Sequence, residues 1–230
     1  MTHFRYYVLP GIRRVLSILL LCLGLFSVWL ALDTPFFSSA AVCGRLNQEN
    51  YVTGSTILAS GPIQYQEIQG DYVPKNTWWF VGRQGDTVQF YTLQKLAGFL
   101  WRPTPSTFPF LQLDLSQQET SIYCNLFGSL PSSKIKGGSE QTPVIVCTDP
   151  RVVRVEAQLI WLGASEQADP HAAIDSRGVS PVFTQVADGV WAAPSSAVPG
   201  APDDAAYSLV FWCQGYDVSG NLVCQYQPQL

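Results

Sequence analysis

The longest uninterrupted apolar run in the chain lies near the N-terminus, where VLSILLLCLGLFSVWLAL occupies residues 15–32 without a charge. At 1.5 Å of rise per residue these residues form a helix about 27 Å long, close to the hydrocarbon thickness of a bilayer. A helix that is apolar on every side belongs in a membrane or deep inside a large protein. The pattern therefore predicts a transmembrane anchor over 15–32, preceded by a short cytoplasmic lead over 1–14.

The charges around this run predict its orientation. Arg5, Arg13 and Arg14 precede the run, and the first charge after it is Asp33. Basic flanks stay in the cytoplasm, so we expect a cell-membrane protein with a cytoplasmic N-terminus and an extracytoplasmic C-terminal part. The alternative is a cleaved signal peptide, but its small-residue cleavage site, around residues 39–41, lies well beyond the end of the apolar run.

After the anchor the hydrophobic pattern has a period of two. We interpret 33–50 as a juxtamembrane connector and 51–230 as one exported domain, with a split into two subdomains near 131–142 as the alternative. Short β-branched and aromatic runs alternate with Gly, Pro, Asn and Asp, and long helical periods are absent. The clearest hairpin joins TWWFVG to TVQFYTL within 77–93. The predicted fold is mostly β: an N-terminal transmembrane helix followed by an antiparallel β-sandwich or half-open barrel.

Charge narrows the classes of partner. Of the 13 Lys and Arg residues, three precede the anchor, which leaves ten against 17 Asp and Glu in the exported part, a net charge of −7. An acidic domain has no basic face for phosphates, so we expect neither a nucleic-acid partner nor binding to anionic lipid headgroups. The expected partners are the lipid bilayer, through 15–32, and an envelope protein or glycan.

Five cysteines lie outside the anchor, and an exported location permits disulfides between them. Cys213 and Cys224 flank the turn-forming GYDVSGNLV, which favours a bond within a hairpin. Cys124 and Cys147 bracket a polar loop and form the second expected pair. Cys43 is then unpaired and close to the membrane, where it is able to join two copies of the chain. Two bonds among five cysteines allow fifteen connectivities, so sequence leaves the pairing open.

The sequence offers little catalytic chemistry. A C-x-x-C pair, a G-x-S-x-G elbow and a Walker loop are all absent, and no cofactor is expected. His171 is the only histidine outside the cytoplasmic lead. Together with Asp169 and Asp175 it is a weak candidate for a metal site or for an envelope hydrolase, although a solvated loop with an Asp-Pro turn explains these residues more simply. We therefore expect no enzyme.

The aromatic residues favour binding instead. Trp78, Trp79 and Trp101 are candidate ligand-binding residues, because aromatic faces stack on sugar rings, although the core is the usual place for Trp in a β domain.

A resemblance to a protein class rests on three segments. The aromatic hairpin ending in GFLW, the TDPRVVRVEAQL strand and the terminal YDVSGNLV hairpin follow an N-terminal anchor. In this arrangement the chain resembles small, membrane-anchored exported β-domain proteins of Gram-positive bacteria, and the resemblance implies no activity. The expected function is a non-catalytic binding, sensing or assembly module at the cell envelope.

Overall fold

The computed structural model describes residues 3–31, 36–63, 76–104, 109–118, 120–128, 142–163, 178–194 and 207–227. The first element is helix α1 (His3–Ala31). Its segment Gly11–Leu30 has a mean hydropathy of 1.9 and no buried residue, and it is the one helix in the described part of the chain long and apolar enough to span a membrane. The predicted N-terminal helix is therefore confirmed, while its place in a membrane stays a prediction.

A second helix, α2 (Ser39–Glu49), lies inside the segment that the sequence predicts as a connector. Val42, Cys43 and Leu46 recur at helical spacing and are buried. They pack on Phe80 and Leu93 of the neighbouring sheet. Most of the connector is thus part of the folded domain, because its apolar stripe needs a surface to cover it.

Twelve strands follow in the described residues and form three antiparallel sheets. The first sheet contains β1 (Thr56–Pro62), β2 (Thr77–Gln84), β3 (Thr87–Leu96), β4 (Leu100–Pro103) and β5 (Phe110–Asp114). The central sheet contains β6 (Ile122–Phe127), β7 (Thr142–Cys147), β9 (Thr184–Ala187) and β10 (Val190–Ala192). The third sheet contains β8 (Arg154–Gly163), β11 (Tyr207–Tyr216) and β12 (Leu222–Tyr226).

The central sheet is covered on both faces. One face carries Val144 and Val146, which pack with Val81 and Phe90 of the first sheet. The other face carries Ile145, which packs with Leu159 of the third sheet. This position explains why all six residues of β7 are buried, since a strand with two covered faces is apolar throughout.

The fold prediction is confirmed: the chain is mostly β with antiparallel sheets, and the sheets do not close into a barrel, which fits a sandwich. The predicted hairpin is β2–β3, turned at Gly85, whose φ of +60° suits glycine. Residues 131–141 lie outside the described residues, and the alternative subdomain split at 131–142 falls almost entirely there.

Candidate functional site

A groove of about 300 Å³ lies over the third sheet, where β8 pairs with β11. Its volume is at the lower end of the range for small-ligand sites. The segment before β9 and the end of β12 contribute to its walls. The lining residues are mainly amide, hydroxyl and aromatic side chains: Glu156, Ala157, Gln158, Ser180, Pro181, Trp212, Gln214, Tyr226 and Gln227.

The strand alternation of β11 supplies the floor of this groove. Phe211 and Cys213 face the core between the central and third sheets. Because successive side chains point to opposite faces, Trp212 and Gln214 point away from that core. The register then sets Trp212 opposite Gln158. A half-buried aromatic ring thus lies beside two amide side chains on one surface.

Hydrogen bonds fix the polar part of the groove. The Tyr216 hydroxyl donates to Gln214 Oε1 at 2.8 Å, which leaves the Gln214 amide NH₂ as the donor. Arg154 Nη1 donates to Glu156 Oε1 at 2.6 Å, and the Arg154 guanidinium lies 4.5 Å from the Tyr216 ring centroid. Burial and the nearby Glu156 raise the pKa of Tyr216, so its hydroxyl keeps its proton near neutral pH.

This arrangement suits recognition of a neutral, hydroxyl-rich ligand. Amides both donate and accept hydrogen bonds, and an indole ring offers an apolar face to a sugar ring. Glu156 is the one carboxylate among the described residues of the groove, and it is already paired with the Arg154 guanidinium. Glycoside hydrolysis needs two carboxyl groups on opposite sides of the bond that is cleaved.

The three tryptophans singled out from sequence lie on the first sheet. Trp79 is 4% exposed and stacks on Phe127 in the core. Trp78 and Trp101 lie on the opposite face and meet edge to face, with ring centroids 5.9 Å apart. Lys95 Nζ lies 5.1 Å from the Trp101 ring centroid. A ligand role for these three residues stays a prediction, and the burial of Trp79 leaves its ring no open face.

An exposed aromatic pair lies beside this cluster. Phe37 is 81% exposed and Phe99 is 54% exposed, and their rings stack with centroids 6.1 Å apart. Phe36 forms an antiparallel bridge with Trp101, which ties the segment after α1 to the edge of the first sheet. Two stacked phenylalanines in solvent are unusual for a soluble surface and mark a contact region.

Four cysteines gather in the core between the central and third sheets. Cys124, Cys147 and Cys213 are buried there, and Cys224 packs against them half-buried. All are free thiols at non-bonding distances in the described residues, so neither expected disulfide is formed. Cys147 Sγ and Cys224 Sγ are 3.7 Å apart.

The two neighbouring thiols, Cys147 and Cys224, have different pKa values. The Cys147 thiol donates toward Cys224, which lowers the pKa of Cys224 to about 7. The same interaction, together with burial, raises the pKa of Cys147. Cys224 is therefore the thiolate of the pair, and the thiolate is the reactive form of cysteine.

Cys43 has a different environment from the one its position in the sequence indicates. It is 2% exposed under α2, and burial raises its pKa to about 12. A bond from Cys43 to a second chain would require α2 to leave the first sheet.

The candidate metal and hydrolase residues Asp169, His171 and Asp175 lie outside the described residues. Within the ranges that the structure describes, no group of three or more His, Cys, Asp or Glu side chains is placed to hold a metal ion.

Sequence reasoning missed the groove residues Trp212 and Gln158. The signal was present in SLVFWCQGY, where Phe211 and Cys213 alternate with Trp212 and Gln214. The sequence of one strand does not show which of its two faces a neighbouring sheet covers, because that depends on packing between distant segments. Comparison of the chain with protein-family models, curated proteins and solved structures finds no match.

Proposed function

We propose that this protein is a membrane-anchored, extracytoplasmic β domain that binds a neutral, hydroxyl-rich ligand of the cell envelope, such as a glycan, without catalysing a reaction. Helix α1 anchors the chain in the bilayer with its N-terminus in the cytoplasm. The observation that carries the binding role is the groove in which Trp212 lies opposite Gln158 and beside Gln214.

Three features of the groove support this ligand class. The ring of Trp212 offers apolar area, while the amides of Gln158 and Gln214 offer hydrogen bonds in both directions. Within the described part of the groove, the carboxylate of Glu156 is paired with the guanidinium of Arg154, which offsets its charge. A charged ligand would lose its hydration without meeting an opposite net charge, whereas a polyol exchanges water for amides.

The envelope-hydrolase alternative, with His171 and the loop acids Asp169 and Asp175, has no support from the described residues, since these three lie outside them. Among the described residues that line the groove there is one carboxylate, Glu156, and no histidine. We therefore retain binding as the proposed role.

The test is a glycan array probed with the full-length chain in a detergent whose headgroup is not a sugar. We expect the wild-type chain to bind a subset of neutral glycans and Trp212→Ala to lose at least tenfold in affinity. Trp78→Ala is the comparison variant, because Trp78 is a half-buried tryptophan on another sheet and belongs to the candidate set drawn from the sequence. If the groove is the binding site, this variant should bind as wild type. Absence of glycan binding, or loss of binding in Trp78→Ala with retention in Trp212→Ala, contradicts the proposal.

A further inference from the structure

We infer that the central and third sheets of this domain are joined by a disulfide between Cys147 and Cys224, with Cys124 and Cys213 as the second pair, rather than by bonds within hairpins. The contact is between sheets: Cys147 ends β7 of the central sheet, and Cys224 lies in β12 of the third sheet. Their sulfur atoms are 3.7 Å apart, in van der Waals contact.

Strand register shows why the hairpin pair is the poorer one. Cys213 lies opposite Tyr226, and Cys224 lies opposite Gly215. The two cysteines are therefore diagonal neighbours, and diagonal positions in an antiparallel pair are about 7–8 Å apart, beyond the usual Cα separation of a disulfide. The same offset separates Cys124, opposite Ile145, from Cys147, opposite Ile122.

A glycine makes room for the bond between sheets. A Cβ on Gly215 would lie 2.9 Å from Cys224 Sγ, so any side chain there would displace that sulfur. With Gly215, the Cys224 side chain lies across β11 and reaches Cys147.

The remaining thiols face each other in the same core. Cys124 and Cys213 are both fully buried, in β6 and β11, and these two strands are in contact. The Cys213 thiol also interacts with the Cys124 backbone. Each pair thus takes one cysteine from the central sheet and one from the third sheet.

The oxidant is a disulfide of the glutathione class, acting by thiol–disulfide exchange. The Cys224 thiolate, on the half-buried and accessible side, attacks one sulfur of the oxidant, forms a mixed disulfide and releases one thiolate. Cys147 then gives its proton to that thiolate and attacks the Cys224 sulfur, which releases the second half of the oxidant as a thiolate. This thiolate takes up the proton that Cys224 had lost to water. The two cysteines lose two electrons and two protons, and the oxidant becomes two thiols.

The test is disulfide mapping of the full chain, purified after blocking of free thiols and digested with trypsin and an Asp-specific protease. This digest places the cysteines in the separate peptides 114–134, 137–148, 204–216 and 217–230. We expect 137–148 linked to 217–230, and 114–134 linked to 204–216. Links of 204–216 to 217–230, or of 114–134 to 137–148, would overturn the pairing.

Formation of the bond in the cell rests on the proposed export, whereas the pairing does not. The reduced full chain, oxidised in vitro with glutathione disulfide and mapped in the same way, isolates the geometry. If the expected link forms in vitro but the protein from cells has free thiols, the pairing stands and export is contradicted. Free thiols at Cys147 and Cys224 under both conditions would overturn the pairing.

The exposed aromatic pair carries a second, independent inference: we propose that the Phe37–Phe99 edge rests on the surface of the bilayer that holds α1. This inference relies on the proposed anchoring. Phe37 follows the end of α1 at Ala31 by six residues, which limits their separation to about 20 Å. The turn at Ala97 and Gly98, with φ of 47° and 81°, presents Phe99 beside it.

Local charge matches an anionic lipid surface. Three basic side chains lie around this edge. Arg45 packs on Phe36, and Lys95 packs on Trp101. Arg102 donates a hydrogen bond to Gln94. The acid paired there is Glu49, which lies 3.5 Å from Arg45. The edge is therefore locally basic, which differs from the expectation drawn from the net charge of −7 that the domain has no basic face. Aromatic side chains with basic neighbours are typical of membrane interfaces.

The test uses tryptophan quenching by brominated lipids in vesicles of phosphatidylcholine and phosphatidylglycerol containing the full chain. Phe99→Trp and the control Val218→Trp, at a position 88% exposed on the β11–β12 turn, are each compared with wild type. The fluorescence of each introduced tryptophan is the variant's emission minus that of wild type. With brominated lipids, we expect this difference to fall at least twofold for position 99 and to stay unchanged for position 218. Equal emission changes at both positions in chains that co-float with vesicles would overturn the contact, while failure to co-float would contradict anchoring itself.

Discussion

Cys147 and Cys224 are 77 residues apart in the sequence, yet their sulfur atoms lie 3.7 Å apart between the central and third sheets. A bond at this place closes a long loop and joins two layers of the sandwich. The bond would also tie β11, a strand that lines the groove, to the central sheet, because β12 is hydrogen-bonded to β11.

The first prediction concerns the stability that this bond contributes. In the oxidised full chain in detergent, Cys224→Ser should lower the free energy of unfolding by about 2–4 kcal/mol more than it does under reducing conditions, because the bond restricts the unfolded chain. Urea unfolding followed by fluorescence measures both differences. Equal effects of the substitution with and without reductant would show that Cys224 forms no bond.

The second prediction concerns the space beside Cys224. Gly215→Ala places a methyl group 2.9 Å from Cys224 Sγ and from Val152 Cγ2, and we expect a loss of about 1–3 kcal/mol in unfolding free energy. Gly44→Ala is the control, since nothing lies within 4 Å of its added Cβ in helix α2. That change should stabilise the chain by about 0.5–1 kcal/mol. An unchanged unfolding free energy in Gly215→Ala would mean that the core accommodates the added methyl group at this point.

The third prediction concerns the polar link between α2 and the first sheet. The buried Tyr91 hydroxyl donates to Asn47 Oδ1 at 2.7 Å, and it lies 3.4 Å from Ser55 Oγ. Tyr91→Phe leaves the Asn47 oxygen without this donor, so we expect a loss of about 1–3 kcal/mol in the unfolding titration. Tyr51→Phe, at a residue 95% exposed, should have little effect. Equal effects of the two substitutions would contradict a structural role for the link.

The fourth prediction concerns the pH dependence of thiol reactivity in the reduced chain. The pKa of Cys224 is lowered to about 7, so its alkylation rate should be half-maximal near pH 7 and should level off above about pH 8. Cys43, whose pKa is raised to about 12, should react slowly and still be accelerating at pH 9. Iodoacetamide labelling with peptide mass spectrometry between pH 5 and pH 9 measures both rates. Parallel pH profiles for the two thiols would contradict the asymmetry.

The sequence predicted the elements whose pattern is local. TWWFVG and TVQFYTL form a hairpin because alternation and the glycine turn agree. Helix α2 was missed because its stripe of Val42, Cys43 and Leu46 is short and follows a much longer apolar run. A helix of this length depends on the sheet that covers it.

The cysteine pairing and the groove depend on contacts between sheets, which no single segment encodes. The hairpin pattern of the sequence is consistent with Cys213 and Cys224 on one face of the third sheet. The cysteines that they meet lie on the central sheet, far away in sequence, and the hairpin pattern does not show them. The groove likewise joins Gln158, Pro181 and Trp212 from three separate segments. Strand periodicity gives the face of each residue, and packing alone decides which faces meet.

The most direct test of an anchored, exported domain is the location of its C-terminus. Two reporters are fused in parallel after Leu230 and compared in intact cells. Alkaline phosphatase is active only outside the cytoplasm, whereas green fluorescent protein is fluorescent when it is fused on the cytoplasmic side. We predict an active phosphatase fusion that sediments with membranes and a dark fluorescent fusion. A fluorescent fusion with an inactive phosphatase would place the domain in the cytoplasm and contradict the proposed topology.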